Sequence, residues 1–143
     1  MPLINSTILI TGASGFIGRR LCAKFSDNSA HVRVVTRSAF VLPSTSSFTI
    51  DDIDAKTDWS HALDNVDVVV HCAARVHIMN DSSVDPLVEF REVNTYGTEN
   101  LARQAAKAGV KRFIFLSSIK VNGEFTAEQP FESGDISIPV DSY

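Results

Sequence analysis

Three glycines, at positions 12, 15 and 18, constrain the fold of this chain more than any other feature. They follow a short apolar run at residues 8–10 and precede residues 17–25, in which apolar side chains recur every four positions. A short β-branched run that ends at glycine is typical of a buried parallel strand. Spacing by four is typical of one face of a helix. The sequence therefore predicts a strand, a glycine loop and a helix in direct succession.

Each glycine of this loop has a physical role if a dinucleotide binds there. Gly12 permits a tight turn after the strand, Gly15 lets a pyrophosphate approach the backbone, and Gly18 lets the helix pack closely against the sheet. The helix N-terminus then presents free N–H groups and a positive partial charge to the phosphates. The spacing is G-x-x-G-x-x-G rather than G-x-G-x-x-G, and a plain glycine turn is the alternative. The position after the first strand favours the dinucleotide site.

The rest of the chain alternates between predicted strands and helices. Asp85 and Pro86 are typical of a helix start, and Gly109 of a helix end. The alternation predicts an α/β fold, a doubly wound Rossmann-type parallel sheet with helices on both faces, within one domain over residues 1–143. The predicted strands are residues 7–11, 31–36, 48–50, 66–70 and 113–116; the predicted helices are residues 17–25, 58–63 and 86–108; residues 38–47 and those after 123 are predicted to be loop.

Composition excludes several classes of partner. The net charge is −4, whereas a protein that grips nucleic acid through its phosphates normally carries the opposite sign. No apolar stretch approaches the ~20 residues that span a bilayer, and no basic leader precedes the first apolar run. The two cysteines, Cys22 and Cys72, lie without metal-ligand spacing, as in a reducing compartment. We therefore expect a soluble cytoplasmic protein with neither a nucleic-acid nor a membrane partner.

Two histidines and two phenylalanines could suggest a metal site or a stacking surface, but packing explains them better. His71 and His77 lie six positions apart, and no third ligand has a suitable spacing, so we expect no metal site. His71 is expected to be a packed residue at the end of a strand. Phe113 and Phe115 are expected in the core.

The end of the second predicted strand bears on the choice of cofactor. Arg37 lies 19 residues after Gly18, and no carboxylate precedes Asp51. In such folds a carboxylate near this point binds the ribose 2′-hydroxyl of NAD, whereas an arginine accommodates the 2′-phosphate of NADP. Arg37 therefore favours NADP slightly, and a solvated surface arginine is the alternative.

Five segments together resemble a known family. Residues 11–18 (TGASGFIG) resemble the T-G-x-x-G-F-[IL]-G loop of the extended short-chain dehydrogenases. Residues 52–53 resemble the pair that meets the adenine ring in that family, and residues 71–74 resemble its H-x-A-A segment. Residues 93–98 resemble its V-N-x-x-G-T helix, and residues 117–123 its S-S-x-x-V-Y-G segment. Tyr143 stands where the family begins Y-x-x-x-K. Within the family, the resemblance is nearest to the UDP-glucose and UDP-N-acetylhexosamine 4-epimerases and the related 4-ketoreductases of surface-polysaccharide synthesis.

The resemblance implies roles for individual residues. Tyr143 would be the general base, Ser118 would hydrogen-bond the same sugar oxygen, and Asn94 would anchor the neighbouring active-site strand. Asp52 and Ile53 would meet the adenine ring, and the H-x-A-A segment would lie beside the pyrophosphate and ribose. The residues expected to bind NAD or NADP are Gly12, Gly15, Phe16, Ile17, Gly18, Arg37, Asp52, Ile53, Cys72, Ala73, Ala74, Asn94 and Tyr143.

The sequence departs from the family pattern at two places. Asn122 replaces the tyrosine of V-Y-G, and the family lysine would fall four positions after Tyr143, where the sequence has ended. We therefore expect an N-terminal part of the cofactor-binding fold, truncated before its last strands and the substrate subdomain. The family also implies a homodimer of the full-length form through the helix over residues 86–108.

The resemblance implies an enzyme that acts on a nucleotide sugar of the UDP-hexose class. The first hypothesis is a 4-epimerase that moves hydride at sugar C4 through a 4-keto intermediate. An NADPH-dependent 4-ketoreductase is a close alternative, and Arg37 favours it slightly. A non-catalytic dinucleotide-binding module is the alternative from another class. The 143-residue chain alone is expected to be inactive.

Overall fold

The computed structural model describes residues 5–28, 30–38, 45–76, 85–126 and 128–140. Its five strands are β1 (Thr7–Thr11), β2 (His31–Thr36), β3 (Thr45–Thr49), β4 (Val68–His71) and β5 (Arg112–Phe115). They form one sheet in the order β3-β2-β1-β4-β5, and every pair of neighbours is parallel. The strand order reverses between β1 and β4, and all carboxyl ends lie at one edge, which is where doubly wound sheets bind ligands. The predicted α/β fold is confirmed.

The helices agree with the prediction in order but not in detail. The helical elements are α1 (Phe16–Asp27), α2 (Ser60–Leu63), α3 (Pro86–Phe90), the π segment (Arg91–Gly97), α4 (Thr98–Lys107) and a 3₁₀ turn (Ile119–Val121). Asp85 caps α3 by accepting from the backbone N–H groups of Leu87 and Val88, and Gly109 ends α4 with φ +80°, as the sequence predicts. The helix expected over 86–108 is not regular, because its middle turns are π-helical.

The predicted boundaries were wrong at several elements. β3 spans Thr45–Thr49 rather than 48–50, and its polar first half was predicted to be loop. These residues pair with β2 because ladder hydrogen bonds come from the backbone, so an edge strand needs no apolar run. β4 and β5 are each displaced from the prediction by one or two residues, and α2 begins at Ser60 instead of 58.

Side chains of alternate strand residues build two cores, one on each face of the sheet. Leu9 of β1 faces a cluster that includes Trp59 and Leu101, so α2 and α4 cover this face. Ile8 and Ile10 face the cluster that contains Cys22 of α1. Helices therefore cover both faces of the described sheet, as a doubly wound fold requires.

Two predictions about burial were wrong. Ile17 was expected on the buried face of α1, but it is 46% exposed, and Gly18 and Cys22 are the buried residues of that helix. Gly18 has no side chain and packs against the backbone of Gly12 and Ala13, and Ile17 lies on the exposed side of the helix. Phe115 was expected in the core but is half exposed, since β5 is the edge strand of the described sheet.

Candidate functional site

The glycine loop turns sharply at the carboxyl end of β1. Gly12 has φ +66°, a conformation that favours glycine. A Cβ on Gly12 would lie 2.7 Å from the backbone nitrogen of Ala73, in the segment that follows β4. The turn is as tight as the sequence predicts, and it also brings the loop against the end of the neighbouring strand.

The N-terminus of α1 is open to solvent. Gly15 is the N-cap residue with an extended backbone, and no side chain caps the helix. The next two residues, Phe16 and Ile17, are 92% and 46% exposed. The first N–H groups of a helix have no intrahelical partner and carry its positive partial charge. A Cβ on Gly15 would meet only the Gly12 carbonyl oxygen, at 3.2 Å, so the loop leaves room for an anion at these amides.

Gly18 and Arg19 hold the loop in shape. A Cβ on Gly18 would lie 2.7 Å from the Cα of Ala13, so this glycine lets the helix contact the loop itself. The prediction that Gly18 serves packing against the sheet is wrong. The Arg19 Nε donates to the Ser14 carbonyl at 2.8 Å. The sequence interpretation missed Arg19; its place four residues after the second glycine, in the first turn of the helix, was the available signal. These contacts and the uncapped amides fit a diphosphate.

His71 ends β4 in a buried network of hydrogen bonds. Its Nδ1 lies 2.6 Å from the Thr11 hydroxyl, and its Nε2 lies 2.9 Å from the Thr98 hydroxyl. The Thr11 hydroxyl also accepts from the backbone N–H of Ala73 at 3.2 Å. Burial lowers the pKa of His71 to about 4, so the ring is neutral at physiological pH. The prediction that His71 is a packed residue at the end of a strand is confirmed. His77, the second histidine considered as a metal ligand, lies outside the described residues.

Asn94 projects from the π segment to the backbone that follows β4. Its Oδ1 accepts from the N–H of Arg75 at 2.7 Å, and its Nδ2 donates to the Arg75 carbonyl at 2.9 Å. The Arg75 guanidinium lies over the Phe90 ring, 5.6 Å from its centroid. The continuous helical stretch of α3, the π segment and α4 is called the long helix below. The contacts of Arg75 with Asn94 and Phe90 fasten the segment after β4 to this helix, and the Asn94 amide is engaged with protein backbone.

The residues expected around the adenosine lie at the same edge of the sheet. Arg37 is exposed directly after β2, and Asp52 is exposed after β3, beside an open hollow lined by residues 49–52, 54 and 56–58. Ile53 is 8% exposed, and a Cβ on Gly97 would lie 2.7 Å from its Cγ2. Gly97 therefore allows the long helix to approach the backbone and side chain of Ile53 closely.

Helix α4 holds the loop beneath that hollow through residues that the sequence interpretation missed. Asn100 Nδ2 donates to the carbonyls of Asp54 and Thr57, at 3.0 and 2.8 Å. Gln104 Nε2 donates to the Thr57 carbonyl, and its Oε1 accepts from the N–H of Trp59, both at 2.8 Å. The available signal was two amides four positions apart, next to the buried stripe of the helix.

Ser118 lies three residues beyond β5. It is half-buried, and its Oγ accepts from the backbone N–H of Lys120 at 3.3 Å, which leaves the hydroxyl proton available to another acceptor. Cys72, Ala73 and Ala74 follow β4 at the same edge. Tyr143 lies outside the described residues, so its predicted role stays a prediction.

Within the described ranges, no helix is both long and apolar enough to span a bilayer. The same residues contain no group of three or more His, Cys, Asp or Glu side chains arranged to hold a metal ion.

The sequence matches a known protein family and several individual proteins. Residues 8–143 match the NAD dependent epimerase/dehydratase family. A UDP-glucose 4-epimerase of Vibrio cholerae is 48% identical over 139 residues, which cover 96% of this chain and 42% of that protein. A 3 beta-hydroxysteroid dehydrogenase/Delta 5→4-isomerase of Mycobacterium tuberculosis (strain CDC 1551 / Oshkosh) is 33% identical over 138 residues, covering 92% of this chain and 36% of that protein.

Solved structures share the fold. MoeE5 in complex with UDP-glucose and NAD superposes with a TM-score of 0.79 at 29% identity, and the match covers 96% of this chain and 44% of that chain. This sequence thus spans less than half the length of the proteins that it resembles.

Proposed function

The chain belongs to the NAD dependent epimerase/dehydratase family, and from that premise we propose that it is the cofactor-binding part of a 4-epimerase that acts on a UDP-hexose. One observation carries the choice of activity: the 48% identity to the Vibrio cholerae UDP-glucose 4-epimerase, against 33% to the hydroxysteroid enzyme. The open amides at the N-terminus of α1 support the dinucleotide part of the proposal.

The proposed cofactor, NAD, would lie along the carboxyl edge of the sheet. The diphosphate would lie at the glycine loop, where Gly15 and Phe16 are exposed. The ribose and nicotinamide half would lie beside residues 72–74, and the adenosine half beside Arg37 and the exposed Asp52. Asn94 would act indirectly, because its amide holds the backbone of Arg75.

The bound NAD supplies a hydride acceptor and donor for C4 of the sugar. Ser118 would hydrogen-bond the C4 oxygen, since its hydroxyl proton is not used by the Lys120 contact. Tyr143 would remove the proton from that oxygen. A free phenol has a pKa of ~10, so the site must stabilise the phenolate by about 4 kcal/mol to make it a base at neutral pH.

Arg37 favours a second candidate, an NADPH-dependent 4-ketoreductase. Arg37 is exposed at the end of β2, where an arginine accommodates a 2′-phosphate. In this reading the same Ser118 and Tyr143 would return a proton to a 4-keto sugar, and the reaction would run one way.

The full-length protein, incubated with UDP-galactose and no added cofactor, separates these candidates. An epimerase converts UDP-galactose to UDP-glucose with no net cofactor consumption, and Ser118→Ala slows this conversion while leaving NAD affinity unchanged. A ketoreductase is inert here and oxidises NADPH stoichiometrically with a 4-keto sugar nucleotide. Dinucleotide binding with no turnover on either substrate would contradict both and leave the binding module.

The full-length form is proposed to be a cytoplasmic homodimer. Leu87, Val88 and Tyr96 on the long helix are 40%, 49% and 44% exposed, which is the kind of apolar surface that a second copy would cover. The free thiols of Cys22 and Cys72 accord with a reducing compartment. Analytical ultracentrifugation of the full-length protein tests the dimer, and Tyr96→Glu should shift it to the monomer.

A further inference from the structure

We propose that His71 is a positioning residue for the dinucleotide, because it ties the glycine loop to the end of β4 and to helix α4. The inference rests on the proposed dinucleotide site at residues 12–18, and it assigns a task to a buried side chain that the proposed chemistry does not use.

The network joins three separate elements. Thr11 is the last residue of β1, His71 the last of β4, and Thr98 the first of α4. The His71 ring bridges the two hydroxyls, with 2.6 Å from Nδ1 to Thr11 and 2.9 Å from Nε2 to Thr98. Each contact crosses between elements that are distant in sequence, so the ring fixes how they sit at the carboxyl edge.

The Thr11 side of the network leads directly to the glycine loop. The Thr11 hydroxyl also accepts from the N–H of Ala73 at 3.2 Å. The same Ala73 backbone lies against Gly12, where a Cβ would come within 2.7 Å. The contact with Nδ1 therefore fixes the Thr11 hydroxyl, which in turn holds the first turn of the loop against the end of β4. The positions of the backbone amides at residues 15–17 depend on that turn.

The surroundings of the ring favour a fixed, neutral imidazole. His71 is 1% exposed, and its ring lies 6.2 and 5.9 Å, centroid to centroid, from Phe113 and Phe115. The partners of its two nitrogens are hydroxyls, which donate or accept as the tautomer requires. The contacting side chains named here, from β1, α4 and β5, carry no charge.

A matched pair of substitutions separates positioning from packing. The terminal amide of asparagine reaches the place of Nδ1, and that of glutamine reaches the place of Nε2. His71→Asn therefore keeps a partner for Thr11, and His71→Gln keeps one for Thr98. Both remove the aromatic ring, so both should lower the melting temperature by a similar amount.

The measurement is NAD affinity of the full-length protein by isothermal titration calorimetry. We expect His71→Asn to bind NAD within about threefold of the wild type and His71→Gln to bind about tenfold more weakly, the size of one lost hydrogen bond. UDP-glucose affinity should be equal in the two variants. Equal NAD affinities of the two would overturn the inference.

A second pair keeps the test independent of folding at residue 71. Thr11→Ser retains the hydroxyl, and Thr11→Val replaces it with a methyl group of similar size. Thr11→Ser should bind NAD as the wild type does, and Thr11→Val should lose about tenfold. Wild-type affinity in Thr11→Val would overturn the positioning role alone, whereas a wild-type protein that binds no NAD would overturn the proposed function with it.

Discussion

Asn94 and Arg75 are joined by two hydrogen bonds, in which the Asn94 amide both accepts from and donates to the Arg75 backbone, at 2.7 and 2.9 Å. Asparagine is unfavourable in a helix interior because its side chain competes for nearby backbone groups. Here the side chain serves a different stretch of backbone, 19 positions away in sequence. The segment after β4 is thereby fastened to the long helix at the carboxyl edge of the sheet.

Removing this link should destabilise the protein. Asn94→Ala leaves the N–H and carbonyl of Arg75 without their partner, and we expect a loss of about 1–3 kcal/mol in the free energy of unfolding. Asn94→Asp keeps the acceptor but cannot donate, so its free energy of unfolding should lie between those of the wild type and Asn94→Ala. Urea denaturation measures both, and Thr95→Ala, an exposed change on the same π segment, is the control. Equal stability of Asn94→Ala and the control would contradict this role.

Gly15 and Gly18, the second and third glycines of the loop, should respond differently to substitution by alanine. A Cβ at Gly18 meets loop backbone, so Gly18→Ala should cost about 1–3 kcal/mol of stability through overpacking. A Cβ at Gly15 meets only one carbonyl oxygen at 3.2 Å, so Gly15→Ala should fold nearly as well but obstruct the diphosphate and weaken NAD binding. Thermal melts and NAD titrations of both variants check this. Weak NAD binding only in Gly18→Ala would refute the assignment.

Gly97 should be required for packing rather than for helix formation. Alanine has a higher helix propensity by ~1 kcal/mol, but a Cβ here would lie 2.7 Å from Ile53 Cγ2 and 3.0 Å from the Ile53 carbonyl. We expect Gly97→Ala to be less stable by about 1–3 kcal/mol in urea denaturation. Gly134→Ala, whose Cβ would meet nothing within 4 Å, should be neutral. A more stable Gly97→Ala would show that the helix does not press against Ile53.

Stability should depend on pH through His71. Burial lowers the pKa of His71 from 6.5 to about 4, so the unfolded state binds more protons than the folded state between these values. The contribution is complete above about pH 6.5 and is lost as the pH falls towards 4, up to about 3 kcal/mol. Urea denaturation across this range should show a shallower pH dependence for His71→Asn than for the wild type. A wild-type pH profile of stability in His71→Asn would contradict the assigned effect of its burial.

The sequence predicts the sheet and the glycine loop because both depend on local patterns. Short apolar runs next to glycine locate β1 and its turn, and Asp85 with Pro86 locates the start of the long helix. The polar first half of β3 escaped prediction because its ladder is formed by backbone groups, which the pattern of side chains does not reveal. The π segment escaped for a related reason: an extra residue in a turn leaves the apolar spacing nearly unchanged.

The contacts that shape the candidate site depend on residues far apart in the chain. His71 meets Thr11 and Thr98 across 60 and 27 positions, and no local spacing encodes either contact. The exposure of Ile17 likewise depends on how closely Gly18 approaches the loop, which only the assembled fold determines. The sequence therefore predicts which edge of the sheet carries the candidate site, but it does not predict the contacts that hold the parts of that site together.

A crystal structure of the full-length protein grown with NAD is the decisive test of the proposed dinucleotide site. We expect density for the diphosphate at the N-terminus of α1, within hydrogen-bond distance of the backbone nitrogens of Phe16 or Ile17 and against Gly15. Density for the dinucleotide at another place, with these amides facing solvent, would contradict it.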